Sequence, residues 1–292
     1  MEHSAISKGA TDPIIIIGMH RSGTSMMTGM LRQLGLFIGA NKDNNDESNF
    51  FQRMNDWALR QAGGSWDNPE MIDDLLANST MRELVLDYFQ LSLNSPRQLF
   101  FLDWRNYLRG QRIATMENPW GWKDPRNTYT LPLWLDIFPN AKVIHIYRNG
   151  IDVAQSLRLR WQKDLEHVQK TYQRQKPIFA ALPKIRTFPL SVRCSDLEQG
   201  FKLWEKHLQR AQVHVETLGD RAIEVKYEDF LASPLEHLRT VAAFAGLSTD
   251  EAKLREITGQ VKGARSQAYK KNPELLAFSR SVNERLERHG YG

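Results

Sequence analysis

Residues 13–34 read PIIIIGMHRSGTSMMTGMLRQL, a run of residue types that changes character twice. Four consecutive β-branched isoleucines, Ile14 to Ile17, make an uninterrupted apolar run of strand length, as a parallel strand buried on both faces requires. Beyond a glycine-bearing loop, Met26, Met27, Met30, Leu31 and Leu34 recur at helical spacing, and Gly35 stands where a C-cap glycine ends a helix. Strand, loop and helix in immediate succession predict an α/β fold. They also set loop 18–25 at a helix N-terminus, where free backbone N–H groups and the positive end of the macrodipole hold anions.

The loop is similar to the triphosphate-binding loop G-x-x-x-x-G-K-[ST], with Gly18, Gly23 and Ser25 in register, but Thr24 occupies the lysine position. That lysine reaches the β- and γ-phosphates, so its replacement speaks against a kinase or ATPase. Arg21 and the hydroxyls of Ser22, Thr24 and Ser25 suit a compact 5′-phosphate bearing one further anionic group. GMHRSGTS resembles the 5′-phosphosulfate loop of the sulfotransferase family, in which a lysine or arginine precedes SGT. The resemblance implies that His20, Arg21, Ser22, Gly23, Thr24 and Ser25 bind the donor 3′-phosphoadenosine 5′-phosphosulfate, without a metal. The alternative is a glycine turn before a core helix.

The 292 residues are 41% hydrophobic and 25% charged, enough for a sizeable core, and they are read as one domain spanning the chain with a disordered tail over 1–12. A net charge of +5 suits an anionic ligand without indicating nucleic acid. The single cysteine, Cys194, excludes an internal disulfide and a thiolate zinc cluster and favours a reducing compartment. The polar N-terminus lacks the apolar core of a leader, and no run approaches membrane-spanning length. The expectation is a soluble, cytoplasmic protein.

Polar residues 37–47 predict a loop arching over the phosphate loop. Phe50, Phe51, Met54, Trp57 and Ala58 then form a helical stripe that ends at Gly63 and Gly64. A second helix is expected to start at a Thr80–Glu83 capping box and to bury Met81, Leu84, Tyr88 and Leu91. PWGWKDPR, residues 119–126, predicts a short buried strand with Lys123 near its C-terminal end, the edge where ligands bind in open α/β sheets. As a plain loop residue Lys123 would pair with Asp124 in solvent. Trp120 and Trp122 are read as core. A strand over 143–147 ends at Arg148, Asn149 is placed to cap the next helix, and Ser156 lies two turns into it.

Basic residues dominate 158–193, which is read as a solvated helical face and a loop over 177–189, or as a lid over an anionic acceptor. Ser195 and Glu198 suit a capping box for another helix. Residues 222–238 predict a strand, a turn and a helix that starts at Ser233 and Pro234. The tail is read as a basic stretch and one helix over 273–288.

These landmarks extend the resemblance from residue 13 to about residue 245 and give it features of bacterial and protein-tyrosine sulfotransferases. It implies that Lys123 points at the sulfuryl group, that Arg148 and Ser156 bind the 3′-phosphate, and that Tyr227 approaches the adenine. Arg265 is a loose match to a 3′-phosphate-gripping loop. The histidine base of cytosolic relatives has no counterpart, because Pro125 stands there. Asp43, Asp46 and Glu47 are the carboxylates available beside Gln52, and Glu47 is chosen as the base. The expected fold is a three-layer, P-loop-like α/β architecture with a mostly parallel central sheet flanked by helices. The expected function is in-line sulfuryl transfer to an acceptor hydroxyl or amine, with Arg21, Lys123 and Glu47 catalytic. Small-molecule, lipid, carbohydrate and peptide acceptors all stay open, as does oligomeric state. The competing readings are a small-molecule kinase and a non-enzymatic nucleotide or nucleic-acid binder.

Overall fold

The structure, a computed structural model, describes residues 10–181, 191–261 and 267–291. The chain forms two compact units, one of Met1–Arg148 with His207–Ser266, the other of Asn149–Lys206 with Gln267–Gly292.

The first unit is built on a parallel sheet in the order β2-β1-β3-β4. Its strands are β1 (Ile14–Ile17), β2 (Gly121–Lys123), β3 (Lys142–Tyr147) and β4 (Ala222–Lys226). β1 pairs with both β2 and β3, so its isoleucines are buried on two sides. Because side chains alternate along a strand, Ile15 and Ile17 enter one apolar cluster and Ile14 and Ile16 another. Complete burial of one such side chain contributes about 1.5–3 kcal/mol.

Each cluster is one face of the sheet. On the first, Phe51, Met54 and Ala58 of helix α2 (Asn49–Gln61) meet the helix Asn127–Ile137, and Phe51 stacks on Trp122 with centroids 3.9 Å apart. On the second, Met27, Met30 and Leu31 of helix α1 (Thr24–Gln33) pack with Leu238 and Val241 of the helix Pro234–Phe244 and with Leu254. Helices on both faces of a parallel sheet make three layers, as the isoleucine run and the strand–helix alternation predict. Gly35 ends α1 at φ +106°, a conformation that favours glycine.

The second unit contains the helix Gly150–Ala181, the first half of the helix Leu197–Leu218, and two short helices, Pro273–Ser281 and Asn283–Arg288. Asn149 Oδ1 accepts from Ile151 N at 3.0 Å and so starts the first of these, as expected. Gly150 lies under the Trp204 ring, where a Cβ would stand 2.4 Å from the indole. Arg158 makes two hydrogen bonds to Glu274, at 2.6 and 2.9 Å.

Several local expectations are corrected. Asn78, not Thr80, starts the helix Ser79–Asn94, through a hydrogen bond from Met81 N. That helix buries Val85, Phe89 and Leu93, while Leu84 and Leu91 are exposed; both sets have helical spacing, so periodicity alone does not choose the face. Asp196 accepts from Gln199 N at 2.9 Å, whereas the Ser195 hydroxyl turns back to Val192 O. The long helix passes through Pro177 to Ala181 where a loop is expected, and residues 182–190 of the expected lid lie outside the described residues. The tail helix is two helices separated at Val282. Thr11, expected in the tail, donates from N to Met116 O at 2.7 Å and accepts from Trp120 Nε1.

Candidate active site

β2 and β3 lie on opposite sides of β1, so the carboxyl ends of β1 and β3 flank the switch point where open α/β sheets bind ligands. Every strand delivers a singled-out residue to that edge: the loop after β1, Lys123 at the end of β2, Arg148 after β3 and Tyr227 after β4.

The loop is tightly shaped. Gly18 has φ +136°, and a Cβ on it would stand 2.2 Å from Ile146 O. Its N–H donates to Thr128 Oγ1 at 3.1 Å. Arg21 is left-handed at φ 71°, and its side chain is exposed. The Ser22 hydroxyl is buried and has no hydrogen-bond partner among the described residues. Thr24 starts α1 with no side-chain cap before it, so the first N–H groups of the helix are left for another acceptor. An orphaned buried hydroxyl, a helix N-terminus and an arginine together fit an anionic ligand. His20 meets Trp66 edge-on, with centroids 4.9 Å apart.

Gly23, at φ +97°, lies against Tyr227, and a Cβ would stand 2.6 Å from Tyr227 Cδ2. Gly23→Ala is therefore expected to lower stability by about 1–3 kcal/mol, from left-handed strain and overpacking together. Denaturant unfolding checks this; an unchanged midpoint would show that the loop relaxes freely.

Lys123 and Glu47 are brought together, 76 residues apart in sequence. Lys123 Nζ donates to Glu47 Oε1 at 2.9 Å and to Ser25 Oγ at 3.2 Å. The lysine is 1% exposed and Glu47 5%, so the solvated pairing of Lys123 with Asp124 is excluded. Glu47 Oε2 accepts from Gln52 Nε2 at 2.8 Å, and Arg126 Nη1 stands 3.9 Å away. The other two carboxylates of the loop are engaged elsewhere. Asp43 Oδ1 accepts from the backbone N–H groups of Asn45 and Glu47, and Asp46 pairs with Lys42 and Arg32.

Burial raises the Glu47 carboxyl above its ordinary 4.5, with the Asp124 charge adding to the rise and Lys123 opposing it. Since the folded form binds this proton more tightly than the unfolded chain, the contribution to stability is complete below about pH 4.5 and is lost as pH rises through the folded value.

Behind the pair lies a closed polar network. Asn55, fully buried on α2, donates to Asp124 Oδ2 at 2.9 Å and Asn127 Oδ1 at 2.7 Å, and it accepts from Thr130 and Trp134. Asn127 donates to Ile16 O and accepts from Trp122 Nε1. Asp124 Oδ1 takes both the Arg126 N–H and its guanidinium. These bonds tie α2, the end of β2 and the end of β1 into one support for Lys123.

The Arg148 guanidinium carbon lies 4.8 Å from the Tyr227 ring centroid, a cation–π distance. One buried ring thus separates Arg148 from the loop glycine. Tyr227 opens the short helix Tyr227–Ala232, directly after β4 ends. Ser156 lies on the helix Gly150–Ala181 of the second unit, and Arg265 lies outside the described residues.

The sequence matches the model of the sulfotransferase family over residues 13–251. The chain belongs to that family. It is an enzyme, a sulfotransferase, and its matched span runs through every element that reaches the sheet edge. Solved structures similar to this enzyme include a sulfotransferase from Mycobacterium avium, 15% identical, covering 97% of this chain and 77% of that one at a TM-score of 0.46. A sulfotransferase domain of the Synechococcus PCC 7002 olefin synthase is 20% identical, covering 85% and 77% at 0.43. A sulfotransferase from Alicyclobacillus acidocaldarius is 16% identical, covering 88% and 99% at 0.40. Compared by sequence with curated proteins, the enzyme matches none.

Local sequence pattern does not mark Asn55, Asp124, Arg126 and Asn127 as parts of the site. The available signal was a lone asparagine within the apolar stripe of α2, facing a core where only a satisfied polar group is tolerated. No helix among the described residues is long and apolar enough to cross a membrane.

Proposed function

We propose that the enzyme moves a sulfuryl group from 3′-phosphoadenosine 5′-phosphosulfate to an acceptor hydroxyl or amine by in-line displacement. The observation that carries the reading is the contact of Lys123 with both Ser25 of the loop and Glu47. The donor supplies the sulfuryl group and a phosphate leaving group. Loop N–H groups, the Ser22 hydroxyl and Arg21 hold the 5′ end. Lys123, placed between loop and carboxylate, neutralises charge that develops there. Glu47, with its raised affinity for a proton, takes the proton of the acceptor. Such chemistry needs positioning and charge stabilisation and no covalent help from the protein, as in phosphoryl transfer.

Arg148 is assigned the 3′-phosphate, at a fixed spacing from the loop set by Tyr227. Ser156, Tyr227 toward the adenine, and Arg265 keep the roles that the sequence resemblance gives them. Arg148→Ala should weaken binding of the donor product, adenosine 3′,5′-bisphosphate, by about 1.5–3 kcal/mol, the scale of a charge-assisted hydrogen bond. Calorimetric titration tests it. A folded variant with unchanged affinity removes the 3′-phosphate from Arg148.

A further inference from the structure

A second polar recess opens in the first unit, lined by Asn41, Asn49, Phe50, Arg53, Arg97 and Phe100. Its volume of about 40 Å³ has room for about three water-sized groups. That seats a compact head group. The lining is rich in donors and holds no carboxylate. Arg53 makes no hydrogen bond or ion pair among the described residues. Arg97 also lacks an ion pair but is held in place: Nη1 donates to Tyr88 OH at 2.7 Å and Ser92 Oγ at 3.4 Å, beside the Tyr88 ring. Its Nε and Nη2 have no acceptor among the described residues. Asn49 Nδ2 donates to Asn41 Oδ1 at 2.6 Å, which leaves the Asn41 amide N–H₂ as a further donor.

Two guanidinium groups lining one recess repel each other, and no acid of the lining offsets them. Their forked donors match a planar carboxylate or a sulfate or phosphate ester. Phe50 and Phe100 supply the apolar walls, and Phe100 is 48% exposed. The recess shares α2 with the base. Asn49 and Arg53 are one helical turn apart, and Gln52, which holds Glu47 Oε2, directly precedes Arg53.

We propose that this recess anchors the acceptor, and that the acceptor carries a carboxylate, sulfate or phosphate group on an aromatic or flat apolar body. The proposal rests on the donor and base assignment above only for the word acceptor; the anion site stands on its own residues.

The experiment titrates phenyl phosphate and benzoate into the full chain saturated with adenosine 3′,5′-bisphosphate, so that the donor pocket is closed to them. Wild type binds at least one probe. The Arg53→Ala/Arg97→Ala double variant, altered at exposed positions, loses about tenfold or more of that affinity while its bisphosphate affinity is kept. A panel of phenols with and without a carboxylate, assayed with radiolabelled donor, then favours the acids, and the double variant raises their KM. Failure of both probes to bind, equal binding by the double variant, or a preference for uncharged acceptors that the double variant retains would each overturn the proposal. Probe binding that needs both arginines, in a protein that ignores the bisphosphate, would support the anion site and defeat the donor assignment instead.

Discussion

Glu47→Gln is expected to leave binding of adenosine 3′,5′-bisphosphate intact and to lower turnover about a hundredfold or more, the usual contribution of a positioned general base. The substitution keeps the shape of the side chain and an oxygen for Lys123 to donate to, and a turned Gln52 amide accepts from the new N–H₂, so the loss is one of basicity. A carboxylate on the water-facing start of α2 would show no such effect. Here both oxygens are turned inward, Oε1 to Lys123 and Oε2 to Gln52. The wild-type pH profile carries the same signature. Because burial raises the Glu47 carboxyl above its ordinary 4.5, the acid limb of kcat should fall at a pH above that value, and it should disappear in the variant. Unchanged turnover in Glu47→Gln would remove the base role and return the choice to Asp43 or Asp46.

Lys123→Met should be the more damaging change. Removal of one preorganised donor from a reacting centre costs about 10²–10³ in kcat, and here the same ammonium also partners a buried carboxylate. Left alone, an ionised Glu47 would destabilise the fold by about 3–5 kcal/mol; uptake of a proton reduces that cost and inactivates the base. The variant should therefore be unstable above the Glu47 pKa and recover stability as pH falls. Adding Glu47→Gln to Lys123→Met should restore stability near neutral pH without restoring turnover. If Lys123→Met alone unfolds at the same denaturant concentration as wild type at every pH, the pair does not couple as its 2.9 Å contact implies.

What the sequence made legible was whatever rests on local pattern. Ile14–Ile17 could hardly be anything but a doubly buried strand, and Gly18, Gly23 and Gly35 marked the turns on either side of α1. Lys123 was placed correctly at a strand end by its aromatic flanks and following proline. Its partner was not legible in the same way. Length and position at a junction favour Glu47, yet what sets it apart from Asp43 and Asp46 is tertiary: of the three, only its carboxylate reaches β2.

The misplaced caps had a different cause. Asn78 and Asp196 compete with Thr80 and Ser195 for the same helix starts, and the outcome depends on where the preceding backbone arrives. Asn55 was hidden because an asparagine in an amphipathic helix reads as surface until its four hydrogen-bond partners, drawn from residues 124 to 134, are assembled around it.

The most direct test of the donor assignment is a calorimetric titration in the presence of a metal chelator, comparing adenosine 3′,5′-bisphosphate with 5′-AMP. The two anion sites proposed at the sheet edge, one on the loop after β1 and one at Arg148, predict that the bisphosphate binds without magnesium and about ten- to a hundredfold more tightly than 5′-AMP. Equal affinities for the two nucleotides, or binding of the bisphosphate that appears only when magnesium is restored, would contradict it.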